Sequence, residues 1–332
     1  MEVQTVEETK AIQLFEWIDS TTEKVINQTD EPYLDSLNIV LEAVFNEGLE
    51  NREESLIQTV NEALKQVTIH DYDQKAIAKA IQFAVLKGMK SSTQVQHMMT
   101  PEAIALFVGY LVNKLTKNEK SLRLFDPASG TGNLLFHVMD QIDKDVEAYA
   151  SEIDPTLLTL SLYSANLQEK SVEFFHQDSI QPFLLDPVDL VVCDLPVGYY
   201  PDDVRASEFA IHAKEGHTYA HHLFIEQSMT YVKDGGYVVC LIPDNLFESE
   251  QADLLKNYIQ QSGQIVGVLQ LADSTFKDKS QRKSILILRK KGNNLTVIKQ
   301  PLLAMLPSFN DAEKMEDIVV KINQWFEEAG LS

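Results

Sequence analysis

A chain of 332 residues, 44% hydrophobic and 23% charged, has the make-up of a globular protein with a sizeable core in one or two domains. Its net charge of −22, divided as −9 over residues 1–90 and −13 over the remainder, speaks against a free-standing basic clamp for duplex nucleic acid. No apolar run approaches the roughly 18 residues of a membrane span, and the start Met1-Glu2-Val3-Gln4 lacks the basic-then-apolar pattern of a secretion signal, so a cytoplasmic location and no membrane partner are expected.

From residue 8 to about 88 apolar residues recur at three- and four-residue spacing: Ile12, Leu14, Phe15 and Ile18, then Leu34, Leu37, Ile39, Val40 and Val44, then Leu56, Val60 and Leu64, then Ile77, Ile81 and Val85. Turn-prone breaks at Thr29-Asp30-Glu31-Pro32 and Asn46-Glu47-Gly48 separate them. A helical N-terminal domain over residues 1–90, serving packing or partner docking, is the expectation. Lys87-Gly88-Met89-Lys90-Ser91-Ser92-Thr93 reads as the junction, and a second domain spans 91–332. There the pattern changes to strand-like runs at 122–126, 147–153, 171–176, 188–193, 236–242, 264–271 and 283–289, mostly alternating with helical patterns. That predicts an α/β fold with a seven-stranded, mostly parallel sheet covered on both faces, the last two strands close enough to form an antiparallel hairpin at its edge. Cys193 and Cys240 fall inside strand-like runs and read as small reduced core residues.

The first of these strands ends in Asp126-Pro127-Ala128-Ser129-Gly130-Thr131-Gly132-Asn133. Small residues at 128–132 let the chain turn sharply, and Gly130 and Gly132 let backbone approach a ligand with no Cβ in the way. A helix starting near Asn133 points its unpaired amides at that ligand. A dinucleotide site wants a third small residue at 135, where Leu135 stands, and the Gly-Lys-Ser/Thr of an ATP loop is absent. A turn with no ligand is the alternative. The second strand ends in Glu152-Ile153-Asp154-Pro155, where Glu152 is placed to accept from ribose hydroxyls and Asp154 to cap a helix. The third ends in Asp178-Ser179; Asp178 is placed either to accept from an adenine amino group or to hold a turn. The fourth ends in Asp194-Leu195-Pro196-Val197-Gly198-Tyr199-Tyr200. A glycine turn after one strand and an Asp-x-Pro turn after a later one suggest methyl transfer from S-adenosylmethionine to an amino group.

In this order, with Met98-Met99-Thr100-Pro101 ahead and Val232-Lys233-Asp234-Gly235-Gly236, Ile242-Pro243-Asp244-Asn245-Leu246-Phe247 and Ser284-Ile285-Leu286-Ile287-Leu288 behind, these motifs resemble the N6-adenine DNA methyltransferases, nearest the modification subunits of type I restriction systems. The resemblance covers roughly residues 95–290 and implies a class I, Rossmann-like methyltransferase sheet. It implies that Thr100 and Pro101 line the methionine end of S-adenosylmethionine, that Asp126, Gly130 and Gly132 form its main cradle, that Glu152 holds the ribose and Asp178 the adenine, and that Ala128, Asn133, Ile153, Ser179 and Asp194 complete the pocket. Asp194, Leu195 and Pro196 stand at the catalytic turn, with Tyr199 beside them. The family pattern there is Asn or Asp, Pro, Pro, then Tyr or Phe; Leu195 replaces the first proline and Val197 stands at the aromatic position. Any residue supplies a main-chain carbonyl, so Leu195 leaves that acceptor in place. The missing aromatic removes base stacking worth about 1–3 kcal/mol, unless Tyr199 or Tyr200 supplies it; both tyrosines read equally as loop anchors. DNA is the implied substrate, with RNA, protein glutamine or a non-catalytic cofactor-binding role as alternatives. No segment looks long enough for a target-recognition domain, which implies a separate specificity subunit. His217 and His221 have a spacing that can share a helix face, yet no further ligand completes a metal site, and no metal is expected. Lys277-Asp278-Lys279-Ser280-Gln281-Arg282-Lys283 is either a basic strip for nucleic acid or a solvated loop.

Overall fold

The computed structural model describes residues 6–91, 99–276, 278, 281–293, 295 and 297–331. Ser92 and Thr93 of the junction, Met98 of the Met-Met-Thr-Pro motif, and Lys277, Lys279 and Ser280 of the basic strip lie outside them. Contacts divide the chain into two compact units, one of residues 1–99, 130–133 and 154–176, the other of residues 100–129, 134–153 and 177–332.

The first unit is mainly helical, residues 172–176 being its strand. It holds α1 (Val6–Thr29), α2 (Tyr33–Phe45), α3 (Glu54–Leu64) and α4 (Gln74–Ser91). Their buried stripes follow the three- and four-residue spacing: Leu14, Ile18 and Val25; Leu37, Val40 and Leu41; Leu56 and Val60; Ile77, Ile81 and Val85. The breaks fall where the turn residues stand, with Asp30 at φ 58° and Glu47 at φ 56°. The same core takes in Leu157 and Leu160 from a later helix, Pro155–Leu167. Asp154 caps that helix, accepting from Thr156 N–H at 2.8 Å and Leu157 N–H at 3.0 Å. Asn38 donates to the Thr156 carbonyl at 3.0 Å, and the Thr156 hydroxyl donates to Asp35 at 2.6 Å, so α2 grips its first turn.

The remaining elements, in chain order, are α5 (Glu102–Leu115), β1 (Ser121–Asp126), α6 (Asn133–Asp140), β2 (Asp145–Glu152), α7 (the Pro155–Leu167 helix), β3 (Val172–His176), β4 (Val188–Asp194), α8 (Asp203–Ala206), α9 (Ala220–Tyr231), β5 (Val232–Pro243), α10 (Ala252–Ser262), β6 (Gly263–Gln270), β7 (Lys283–Lys290), β8 (Leu302–Met305) and α11 (Ala312–Glu328). One sheet runs β3-β2-β1-β4-β5-β7-β6-β8. β2, β1, β4 and β5 pair in parallel, and β7 runs antiparallel to both β5 and β6. The sheet thus has eight strands where the sequence predicts seven. The addition, β8, is four residues long, pairs in parallel with β6 and leaves Leu303 and Met305 outward, so its sequence carries too short a run to separate from a loop. The predicted hairpin of β6 and β7 forms, but inside the sheet: β7 lies between β5 and β6, and β8 covers the flank of β6.

β4 and the upper part of β5 are buried on both faces, as a parallel sheet covered by helices requires. Cys193 and Cys240 are register partners on these two strands, buried and unoxidised. Gly236 lets β5 pass close to β4, since a Cβ there would stand 2.6 Å from the Asp189 carbonyl oxygen. Among the described residues no helix is long and apolar enough to cross a membrane.

Candidate active site

Within the second unit the strands β1, β2 and β4 end together, because parallel pairing places Asp126 beside Ala150 and Phe125 beside Val191. Ligands in such sheets meet the carboxyl ends of the strands. Asp126 is 1% exposed and accepts from the Ala128 N–H at 3.1 Å. Burial is the main force that pushes its carboxyl up to about 8, and the charges of Glu152 and Asp194 add to the rise. The turn after β1 is stitched on both sides. Ser129 N–H donates to the Ser151 carbonyl at 3.0 Å, and the Ser179 hydroxyl donates to the Pro127 carbonyl. Ser151 Oγ in turn donates to Gln177 O at 3.1 Å.

Glu152 ends β2, its Oε1 accepting from the Ile153 N–H at 2.9 Å, while the Ile153 side chain is exposed. Asp178 accepts the Ile180 N–H at 2.9 Å on one oxygen and the Tyr200 hydroxyl at 2.5 Å on the other. Burial, followed by this bond to Asp178, raises the Tyr200 phenol above its ordinary range. Tyr200 is therefore an anchor of the loop. Gly130, Gly132 and Asn133 cluster with the first unit. Gly130 and Gly132 have φ of 53° and 80°, which favour glycine, and a Cβ on Gly130 would meet nothing within 4 Å. Asn133 opens α6 and accepts from Gln82 at 3.3 Å.

Asp194 closes β4. Its Oδ2 accepts from the buried Thr100 hydroxyl at 2.8 Å, and its Oδ1 is ion-paired with Lys283 Nζ. Leu195 is buried, with its N–H on the Leu241 carbonyl at 3.2 Å. Pro101, at the start of α5, and Pro196 are exposed. So is Val197 at the position where the family pattern has an aromatic. Tyr199 is 55% exposed and stacks on Tyr219 with ring centroids 4.8 Å apart, and Tyr219 stacks on His221 at 4.9 Å. Backbone bonds from Tyr200 N to Thr218 O and from Ala220 N to Gly198 O, each 2.8 Å, hold this loop against the entry to α9. The sequence names neither Tyr219 nor Lys283 as part of the site: Tyr219 carries no local motif, and Lys283 reads as the end of a basic loop.

The histidines separate rather than converge. α9 begins at Ala220, after His217, so the shared helix face does not form. His217 pairs with Asp203 at 2.9 Å on the surface, and His221 and His222 are buried. Desolvation lowers His221 to about 4 and His222 to about 3, so both are neutral near pH 7. Among the described residues no group of His, Cys, Asp and Glu is arranged to hold a metal ion. Of the basic strip, Arg282 pairs with Asp273 at 2.6 Å and Lys283 with Asp194, so both charges are met by acids.

Residues 85–328 match the N-6 DNA methylase family. The chain belongs to that family. This N-6 DNA methylase family member thereby stands among the methyltransferases and has the class I methyltransferase fold. Residues 12–89 match the YtxK N-terminal helical domain. Over 317 residues the chain is 41% identical to the YtxK protein of Bacillus subtilis (strain 168), covering 94% of this chain and 96% of that one. A crystallised protein of Listeria monocytogenes, assigned as a class I S-adenosylmethionine-dependent methyltransferase, superposes with a TM-score of 0.90 at 37% identity, over 96% of this chain and 99% of its own. The methyltransferase subunit of a type I restriction-modification system from Streptococcus thermophilus shares the fold, with a TM-score of 0.64 at 15% identity over 93% of this chain and 74% of that one.

Proposed function

We propose that this protein transfers a methyl group from S-adenosylmethionine to the exocyclic amino group of adenine in DNA. The carrying observation is Asp194, fixed at the end of β4 with the Thr100 hydroxyl on Oδ2 and the Leu195 carbonyl next in the chain. The donor set suits a cationic nucleoside: Asp126 feels the charges of both Glu152 and Asp194, and Ile153 presents an exposed apolar surface beside Glu152. In this reading Glu152 takes the ribose hydroxyls, Asp178 the adenine amino group, and Thr100 and Pro101 the methionine end, with Asp126 in the main cradle, Ala128 beside it and Ser179 fixing the turn. S-adenosylmethionine, when bound, supplies an electrophilic methyl on a sulfonium.

The chain's own part is to prepare the acceptor nitrogen. An amine conjugated to a ring is a poor nucleophile because its lone pair is delocalised. Asp194 accepts one amino hydrogen and the Leu195 carbonyl the other, which favours a pyramidal nitrogen and stabilises the positive charge that develops on it. Holding that nitrogen in line supplies much of the remaining acceleration. Asp194 then accepts the surplus proton on a carboxylate oxygen. Tyr199, exposed and already stacked on Tyr219, is the aromatic face that takes over from Val197 against an extruded base.

The net charge of −22 supports a separate partner that chooses the DNA sequence, as the likeness to subunits of multi-component type I systems does, and the setting proposed is the cytoplasm. The charge also favours a second acceptor class, a protein glutamine, whose conjugated NH2 asks for the same two acceptors, as that of an RNA base does. We assign residues 1–90 to docking and 91–332 to catalysis. Tritiated methyl transfer to DNA, RNA and lysate protein tests the reading. Label in DNA adenine supports it, label in RNA or protein redirects the substrate, and label in none beside measurable cofactor binding removes catalysis.

A further inference from the structure

Lys283 begins β7, the strand that runs antiparallel to both of its neighbours. β4 and β5 are parallel, so their C-terminal ends, Asp194 and Pro243, face the site, whereas β7 is antiparallel and brings its first residue to that same edge. Asp194 is register partner of Leu241, and Pro243 of Lys283, so the lysine lies just past the level of the aspartate and reaches it over β5. Two strand spacings amount to about 10 Å, a span that a lysine and an aspartate side chain bridge together. Nζ is paired with Oδ1, and the two side chains are only 25% and 16% exposed. Thr100 holds the other oxygen at 2.8 Å. Ion pairs on open surface contribute little because water screens them; this one is partly shielded and shares its carboxylate with a buried hydroxyl.

We propose that Lys283 is a positioning residue for methyl transfer: together with Thr100 it fixes the plane of the Asp194 carboxylate and offsets its charge beside the cationic donor. Each oxygen of a carboxylate carries lone pairs for about two bonds. One donor on each oxygen removes rotation about the last torsion and leaves one acceptor position on each for the amine. The offset charge has a second effect. The charges of Asp194 and Glu152 together would hold a sulfonium strongly and the neutral thioether product weakly. A lysine ammonium on Asp194 narrows that difference, so that donor affinity is not maximised at the expense of the transition state.

The inference rests on the methyltransferase reading, and the test separates the two. Affinities for S-adenosylmethionine and S-adenosylhomocysteine are measured by calorimetry for the wild-type chain, Lys283→Met, Lys283→Arg and the double variant Asp194→Asn/Lys283→Met. Methionine keeps the length of the stem, and melting curves report whether each variant is folded. The expected result for Lys283→Met is a rise of about tenfold in preference for the sulfonium over the thioether, as one positive charge leaves the site. Arginine is expected to preserve the wild-type ratio, and the double variant, having lost both charges, to return to it. In turnover, Lys283→Met is expected to lower kcat with little change in KM for the acceptor, and arginine to recover part of it. An unchanged ratio in Lys283→Met, or arginine behaving as methionine does, overturns the inference while leaving the methyltransferase reading intact. Absence of binding of either ligand to the wild-type chain overturns both.

Discussion

The two ends of the proposed site, one for cofactor and one for acceptor, are built by different means. At the cofactor end the aspartates and glutamate are held by their immediate neighbours: Asp126 by the N–H two residues on, Glu152 by the next one, Asp178 by that of Ile180. At the acceptor end Asp194 is held by Thr100, 94 residues earlier, and by Lys283, 89 residues later. A local turn carries its own geometry wherever the strand places it. A long-range clamp exists only once the sheet order is complete, so the acceptor end is the part that strand order, rather than strand tips, decides. One bond ties the two ends, from Tyr200 in the acceptor loop to Asp178.

Variants and pH can pull these ends apart. The largest effect is expected from Asp194→Ala. Losing a preorganised acceptor of developing charge should lower the methyl-transfer rate by about 10²–10³-fold, with affinity for the neutral S-adenosylhomocysteine retained in calorimetry; equal activity would remove Asp194 from the chemistry.

Next comes acid and base stability, where the ends have opposite signs. Asp126 moves from an unfolded value of 3.8 to about 8, so between these pH values the native state holds a proton that the unfolded chain has released. Stability due to it falls as pH rises through that window. His222 moves from 6.5 to about 3, so there the unfolded chain holds the extra proton, and stability is lost as pH falls through that window. Each whole proton contributes a slope of about 1.4 kcal/mol per pH unit. Urea unfolding from pH 4 to 8 should show Asp126→Asn flattening the alkaline side and His222→Phe flattening the acid side. The phenylalanine also replaces a ring whose two nitrogens are buried without a hydrogen-bond partner.

Val197→Tyr places an aromatic on the proposed catalytic turn and should lower KM for the acceptor by about fivefold or more, about 1 kcal/mol being the lower bound of a stacking gain of roughly 1–3 kcal/mol per base. No gain would indicate that Tyr199 already occupies that role. The smallest change is expected from Tyr200→Phe, which deletes the hydroxyl on Asp178. A loss of about 1 kcal/mol in cofactor affinity or melting stability is anticipated, and a larger loss of turnover than of binding would show the loop and the cofactor end to be coupled.

Much of this was legible in the chain. The helical stripe from Leu14 to Val85, the strands ending in Asp126, Glu152, His176 and Asp194, and the proline-supported cap at Asp154 are set by periodicity and by turn chemistry, which act over a few residues. β8 was not, because four residues with two facing outward carry too little pattern. The incorporation of α7 into the helical core was not either, since its apolar residues serve any neighbouring face.

Taken alone, the sequence determined which strands carry acids at their ends and that a glycine turn follows the first, for the physical reason that strand period, small residues and helix caps are local. Tertiary structure alone decided that β7 inserts between β5 and β6 rather than lying at the edge, and hence that a lysine meets Asp194. It also decided which of two adjacent tyrosines is buried on Asp178 and which faces outward on Tyr219. Those outcomes follow from strand order and burial, which sum contacts over the whole chain and leave no mark at any one position.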